Sequence, residues 1–100
     1  MDYHHWAYNE VRTAQFGDQR LTNRLALLLK QLGDQPEESM PVACNSWADT
    51  LAAYRFFDND QVTFETVLAS HRGATWERCR EHPVVLLIQD TTALKYTHTP

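Results

Sequence analysis

The stretch that decides the fold is "GDQRLTNRLALLLKQLG", residues 17–33. Apolar residues recur in it at helical spacing, namely Leu21, Leu25, Leu28, Leu29 and Leu32. Residues three and four apart lie on one side of an α-helix, and an apolar side must be buried against another element. Gly17-Asp18 supplies an N-cap, and Gly33 offers a C-terminal stop. The stretch therefore predicts an amphipathic helix that packs against other helices.

Two weaker segments flank this helix. A first helix is predicted over Tyr3–Gln15, where Trp6, Val11 and Ala14 are spaced as a one-sided apolar stripe. On the other side, Asp34–Asn45 reads "DQPEESMPVACN" and carries two prolines and several acids. That composition favours an irregular connection, so we expect a loop there.

Two later helices are predicted from their start signals. Ser46 followed by Asp49 resembles a capping box that opens a helix ending near Asp58-Asn59. Thr63 can cap a further helix that runs to about Glu81, with Val62 and Val67 as a hydrophobic staple and a loosened turn at Gly73. We expect the large aromatic residues of these helices in the core: Trp47, Tyr54, Phe56, Phe57 and Trp76.

The period of the apolar pattern changes after Pro83. The run "VVLLIQD", residues 84–90, has the length and β-branched composition of a strand buried on both faces. Such a strand needs neighbours for its backbone hydrogen bonds, and "ALKYTHT" is all that follows as a hairpin partner. We therefore divide the chain into a helical domain, residues 1–82, and the incomplete start of a larger α/β domain, residues 83–100.

Composition excludes several classes of protein. The formal net charge of −4 argues against indiscriminate nucleic-acid binding, so any DNA contact must be local. No apolar run reaches the length of a membrane helix, and the N-terminus lacks a signal-peptide core, which predicts a cytoplasmic protein. Cys44 and Cys79 lack the spacing of a disulfide framework or a zinc site. His4 and His5 are discounted as metal ligands because adjacent helical side chains point apart.

Four blocks of the sequence, in order, carry a resemblance to a known family: "FGDQRLTNRL", "AAYRFFDND", "HRGATWER" and "LLIQDTTALKY". They resemble the N-terminal region of bacterial DDE transposases of the Tn-five type, within the insertion-sequence-four superfamily. The resemblance implies a mainly α fold, with a four-helix DNA-binding domain followed by the first strand of an RNase-H-like α/β core. It implies double-stranded DNA of transposon terminal repeats as partner, a homodimer in the synaptic complex of the whole enzyme, and a place at the bacterial nucleoid.

The same resemblance assigns a catalytic role to Asp90. The aspartate of the "DTT" block is the first of three carboxylates in that family, which makes Asp90 a metal ligand and Mg²⁺ the expected cofactor. Two Mg²⁺ ions about 4 Å apart can activate the attacking oxygen and stabilise the leaving one in phosphodiester chemistry. One carboxylate cannot hold two ions, so we expect this chain alone to be inactive and to bind Mg²⁺ weakly. Without the resemblance, Asp90 is a solvated residue at a strand end.

Candidate DNA contacts are arginines. Arg20 and Arg24 lie four apart on one helix face and match the family's basic positions. The alternative for both is a solvated helix face, with a contact between Asp18 and Arg20. Arg55 has its stem among aromatic residues, and a salt bridge to Asp58 or Glu65 is its alternative. Arg78, with Arg72, could reach phosphate from the fourth helix, where His71 and Thr75 are interpreted as hydrogen-bonded structural residues.

A different class of function suits the acidic balance and the many aromatic residues. The chain could be a helical interaction or dimerisation module without a DNA role. A small nuclease is a third reading, which the lack of a second well-placed acid near a strand disfavours.

Overall fold

The computed structural model describes residues 5–95, with side chains from Trp6 onward. This part of the chain contains five α-helices: α1 (His5–Val11), α2 (Gln19–Asp34), α3 (Met40–Cys44), α4 (Trp47–Phe57) and α5 (Phe64–Arg80). The predicted mainly helical fold is confirmed. No helix among the described residues is long and apolar enough to cross a membrane.

The predicted helix starts are confirmed by their caps. The Asp18 carboxylate accepts a hydrogen bond from the Arg20 backbone amide at 2.9 Å, and Ser46 Oγ accepts one from the Asp49 amide at 3.0 Å. At the start of α5 the side chain of Thr63 and that of Thr66 each accept from the other residue's backbone amide, which forms a reciprocal capping box. These caps satisfy amides that have no partner inside the helix.

The first helix is shorter than predicted. It ends at Val11 instead of Gln15, and its predicted beginning at Tyr3 lies outside the described residues. The chain turns because the Ala14 amide donates to the Val11 carbonyl at 2.9 Å, while Thr13 Oγ1 reaches the Ser70 carbonyl of α5 at 3.3 Å. Tertiary contact therefore ends this helix.

The loop prediction for residues 34–45 is wrong in its second half, where α3 forms. Pro41 occupies the second position of this helix, a place where the missing amide hydrogen costs nothing. The helix ends at Asn45, whose φ of 70° is left-handed, a conformation that asparagine tolerates well. Proline here marks a helix start, not a loop.

The core is made mostly of small and aliphatic side chains around α2. Its buried members are Ala7, Val11, Phe16, Leu25, Ala26, Leu28, Ala43, Cys44, Ala53, Phe56 and Ala74. Phe16 meets Phe56 edge to face, with ring centroids 5.9 Å apart, which joins the segment before α2 to α4. The α2 helix packs against α1, α3 and α4, so the leucine stripe lies at the centre of the domain as predicted.

Several aromatic residues expected in the core lie at the surface. Trp47 is 73% exposed and Trp76 61%, and Tyr54 and Phe57 are half exposed. The cause is the arrangement of the last two helices, because α5 packs against α1 and, among the described helices, makes no contact with α4. The outer faces of both helices consequently have no neighbour.

Gly73 allows α5 to approach α1 closely. A Cβ atom at this position would lie 2.6 Å from Thr13 Oγ1, which is well inside van der Waals contact. The predicted loosening of the helix at Gly73 is wrong, since α5 continues through it to Arg80. The glycine is used for packing.

Residues 84–95 form an extended segment that pairs with no other part of the described chain. The apolar side chains at its start are open to solvent, with Leu87 and Ile88 88% and 89% exposed. No strand or hairpin forms within residues 5–95, so the expected hairpin is not present there; the last residues of its second arm lie outside that range. A lone strand has no neighbour to satisfy its amides and carbonyls.

Candidate nucleic-acid interface

Three of the four predicted DNA-contacting arginines line one surface cavity. Arg20 and Arg24 from the beginning of α2 meet Arg55 from the end of α4 around a volume of about 460 Å³. The rest of this arginine cavity is formed by Asp18, Leu21, Ala52, Phe56 and Asn59. Three arginine side chains therefore line this cavity together with one acidic residue, in a chain whose net charge is −4.

Arg20 is the most accessible of the three. Its side chain is 91% exposed, and its Nη2 lies 3.0 Å from Asp18 Oδ2, so the alternative contact predicted for it is present. Hydrogen bonds from Arg20 lower the pKa of the Asp18 carboxyl, and the same contact raises the pKa of Arg20. An exposed arginine with one partner retains donors for an anion, because the guanidinium carries five N–H groups.

Arg24 is more buried than Arg20. Its side chain is 29% exposed, and its Nη1 lies 3.6 Å from Asp49 Oδ1 at the start of α4. This nitrogen is sealed from solvent and has no hydrogen-bond partner. On the far side of the carboxylate, Asp49 Oδ2 accepts a hydrogen bond from Gln31 Nε2 at 3.1 Å. The same amide nitrogen donates to the Cys44 carbonyl at 3.2 Å.

The guanidinium of Arg55 forms no ion pair with a carboxylate within residues 5–95. The ion pair with Asp58 or Glu65 that was its alternative is absent from that range, and Glu65 instead accepts from Arg72 at 3.2 Å. Arg55 is exposed at the end of α4. The arginine cavity consequently carries the local positive surplus that DNA contact by an acidic protein requires.

Arg78 lies on a different surface, between α5 and α1. The Glu10 carboxylate accepts from Arg78 Nη1 at 2.8 Å and from Nη2 at 3.1 Å, and it also contacts His71. We call these three residues the Glu10 clasp. Its hydrogen bonds, those from Arg78 first, lower the pKa of Glu10, and the pKa of Arg78 is raised. Thr75 joins the group at 3.2 Å from Arg78, so His71 and Thr75 are hydrogen-bonded as interpreted.

Asp90 stands alone in the extended segment. Its Oδ1 accepts a hydrogen bond from the Thr91 amide at 2.8 Å. Within residues 5–95 no three histidine, cysteine or acidic side chains come together as a metal site could require. Asp90 therefore has too few ligands among the described residues to form a magnesium site.

Two polar residues of this interface were missed in the sequence, Asp49 and Gln31. Asp49 was interpreted as half of a capping box, whereas its carboxylate turns to α2. The spacing of Gln31 from Arg24, seven residues on one helix, places the two side chains on one face and was the available signal.

A family model described as transposase DNA-binding matches residues 3–62. The match contains α1 to α4 and all three arginines of the cavity, while Arg78 and Asp90 lie beyond it. No solved structure matches the chain.

Proposed function

Because the chain belongs to the transposase DNA-binding family, we propose that the arginine cavity binds duplex DNA at the terminal repeats of a transposon. One observation carries the proposal: arginines from two separate helices converge on one concave surface inside the matched region. Arginine suits this task because its planar fork of donors fits phosphate oxygens and the guanine edge.

The charge distribution supports a directed mode of binding. The chain is acidic overall, so duplex DNA is repelled from most of its surface and attracted to the cavity. If each of the three arginines neutralises one phosphate, log affinity should fall with log salt at a slope of about −2.7. Sequence selectivity would come from whichever of these groups reaches a base edge.

A gel shift over about 50 to 200 mM salt tests this function. The probes are a labelled duplex carrying the inverted repeat that adjoins the coding sequence and a scrambled duplex of equal length. We expect preferential, salt-sensitive retardation of the first, weakened by Arg20→Ala with Arg24→Ala. Lys30→Ala removes a charge from α2 outside the cavity and serves as control. A folded sample that retards neither duplex at low salt would refute DNA binding.

A finer proposal concerns the extended segment. We propose that the protein is of the Tn-five type and that Asp90 supplies one of three carboxylates of an RNase-H-like core in a dimeric, Mg²⁺-dependent transposase. The "DTT" block and the unpaired apolar run before it support this. Magnesium would supply Lewis-acid chemistry at phosphorus. DNA binding would also place the protein at the nucleoid, in a bacterial cytoplasm.

The exposed aromatic surface favours a second candidate function, self-association. A groove of about 420 Å³ is lined chiefly by Phe57, Val62, Phe64, Val67 and Leu68, and Phe64 is 81% exposed. Sedimentation of the chain with and without duplex DNA distinguishes the two functions. A dimer that Phe64→Asp dissociates, in a protein that binds no DNA, would favour the interaction module.

A further inference from the structure

A partly buried polar contact involves Arg24, one of the arginines that line the cavity. Asp49 places one carboxylate oxygen 3.6 Å from Arg24 Nη1 and accepts from Gln31 Nε2 at 3.1 Å with the other. Arg24 and Gln31 are seven residues apart, which brings both onto the same face of α2. One carboxylate of α4 is therefore held at two points by α2.

Asp49 is itself fixed in place. Its backbone amide donates to Ser46 Oγ at 3.0 Å in the first turn of α4, where the positive end of the helix dipole favours a carboxylate. The Gln31 amide that holds the carboxylate is in turn anchored on the Cys44 carbonyl at 3.2 Å. The contact thus ties α2, α4 and the end of α3 together.

We propose that Asp49, with Gln31, is a positioning residue that fixes the Arg24 guanidinium for contact with DNA. This inference rests on the proposed function of the arginine cavity. The Arg24 side chain is 29% exposed against 91% for Arg20. A side chain confined by its neighbours loses less conformational entropy when it binds, so Arg24 would contribute more per contact than Arg20. Arg24 is then the rigid anchor of the cavity and Arg20 the adjustable contact.

A purely electrostatic role and a positioning role of Asp49 predict opposite effects of Asp49→Asn on DNA affinity. The substitution keeps the shape and removes one negative charge near the cavity, which by itself strengthens attraction to phosphate. If Asp49 positions Arg24, the same substitution weakens binding instead. Asp34→Asn is the matched control, since it removes one negative charge from the far end of α2, where Asp34 pairs with Lys30.

Fluorescence anisotropy with the terminal-repeat duplex measures whether DNA affinity rises or falls in the full chain. We expect Asp49→Asn to weaken binding about fivefold to tenfold, because it loosens the Arg24 contact without removing it, and Asp34→Asn to leave binding unchanged or slightly tighter. In an Arg24→Ala background, Asp49→Asn should no longer weaken binding, because the group that it positions is gone. A role confined to folding would not produce that dependence.

Circular dichroism establishes that each variant is folded. Should Asp49→Asn not fold, Gln31→Met tests the same support, and we expect it to weaken DNA binding through Arg24 alone. Binding by Asp49→Asn, or by Gln31→Met in its stead, that equals or exceeds that of Asp34→Asn would overturn the inference while DNA binding stands. Absence of binding by the wild-type chain would overturn the proposed function, and this inference with it.

Discussion

The arginine cavity and the Glu10 clasp use the same residue type for different ends. In the clasp, Arg78 gives two hydrogen bonds to one carboxylate, and the neighbouring Arg12 pairs with Glu77 in the same interface. In the cavity, Arg20 pairs with Asp18 and Arg24 with Asp49, while Arg55 has no acidic partner within residues 5–95. The placement of acids, more than the placement of arginines, decides which arginines join helices and which can meet a ligand.

The two regions also differ in what they stabilise. The clasp joins α5 to α1, the one described helix against which α5 packs, and it does so largely through polar and charged groups. The cavity lies over the aromatic and leucine core between α2 and α4, where Phe56 and Leu21 form its floor. Damage to the clasp should therefore affect α5, and damage to the cavity should affect binding.

The largest expected effect follows from removing two arginines of the cavity. Arg24→Ala with Arg55→Ala should weaken binding to the terminal-repeat duplex by at least about 100-fold, because each charged contact is worth about 1.5 to 3 kcal/mol. The salt slope should shrink by about 1.8. Anisotropy titrations at several salt concentrations measure both. An unchanged slope would show that neither arginine meets phosphate and would end the contrast between the regions.

Crowding the interface next to the clasp should cost stability and leave DNA binding intact. In Gly73→Val the new Cβ meets Thr13 Oγ1, which must leave the Ser70 carbonyl. We expect the free energy of unfolding to fall by about 1 to 3 kcal/mol, the usual cost of overpacking. Urea denaturation measures the change in this free energy. Gly33→Val is the comparison variant, because Gly33 lies on α2 and faces Trp6 of α1. Loss of DNA affinity in a folded Gly73→Val protein would contradict the separation.

The Glu10 clasp should make the free energy of unfolding depend on pH. The pKa of Glu10 is lowered in the folded state from 4.5, so folding favours its charged form. Its contribution is therefore full above that value and is lost as pH falls through the lower folded pKa. Glu10→Gln should cost about 1 kcal/mol at neutral pH and flatten the decline of stability below pH 4.5. Thermal melts across pH test this, and an unaltered decline in the variant would assign it to other acids.

The smallest effect concerns Arg78, which remains a predicted DNA contact. To reach phosphate it must leave Glu10, so we expect Arg78→Ala to weaken DNA binding by no more than about threefold, under 1 kcal/mol. The same anisotropy assay measures this loss beside that of Arg24→Ala. Equal losses would mean that DNA displaces Glu10 and that the clasp opens on binding.

Local signals predicted the helices well and the packing poorly. Asp18, Ser46 and Thr63 indicated three helix starts, because an N-cap side chain bonds to a backbone amide no more than three residues away. The exposure of Trp47 and Trp76 follows from the separation of α4 and α5, which no local pattern encodes. Similarly, Pro41 was interpreted as a breaker because its permitted place in a first turn depends on where the helix begins.

The sequence supplied the candidate arginines but not the way in which the fold groups them. Arg20 and Arg24 share a face of one helix, so their proximity follows from the sequence. Arg55 joins them, whereas Arg78 does not. This difference depends on how α4 and α5 pack against the other helices. Asp49 could not be assigned, because a carboxylate in a first turn usually serves its own helix.

The exposed apolar run Val84–Ile88 has a consequence for the behaviour of the chain in solution. Within residues 5–95 its side chains are exposed and its backbone pairs with no strand, so the run can template a second copy as an unprotected sheet edge does. We expect cross-β precipitation at high concentration, with a lag and seeding behaviour that thioflavin fluorescence would reveal. A single gatekeeper charge, such as Leu87→Lys, should delay it without altering the helices.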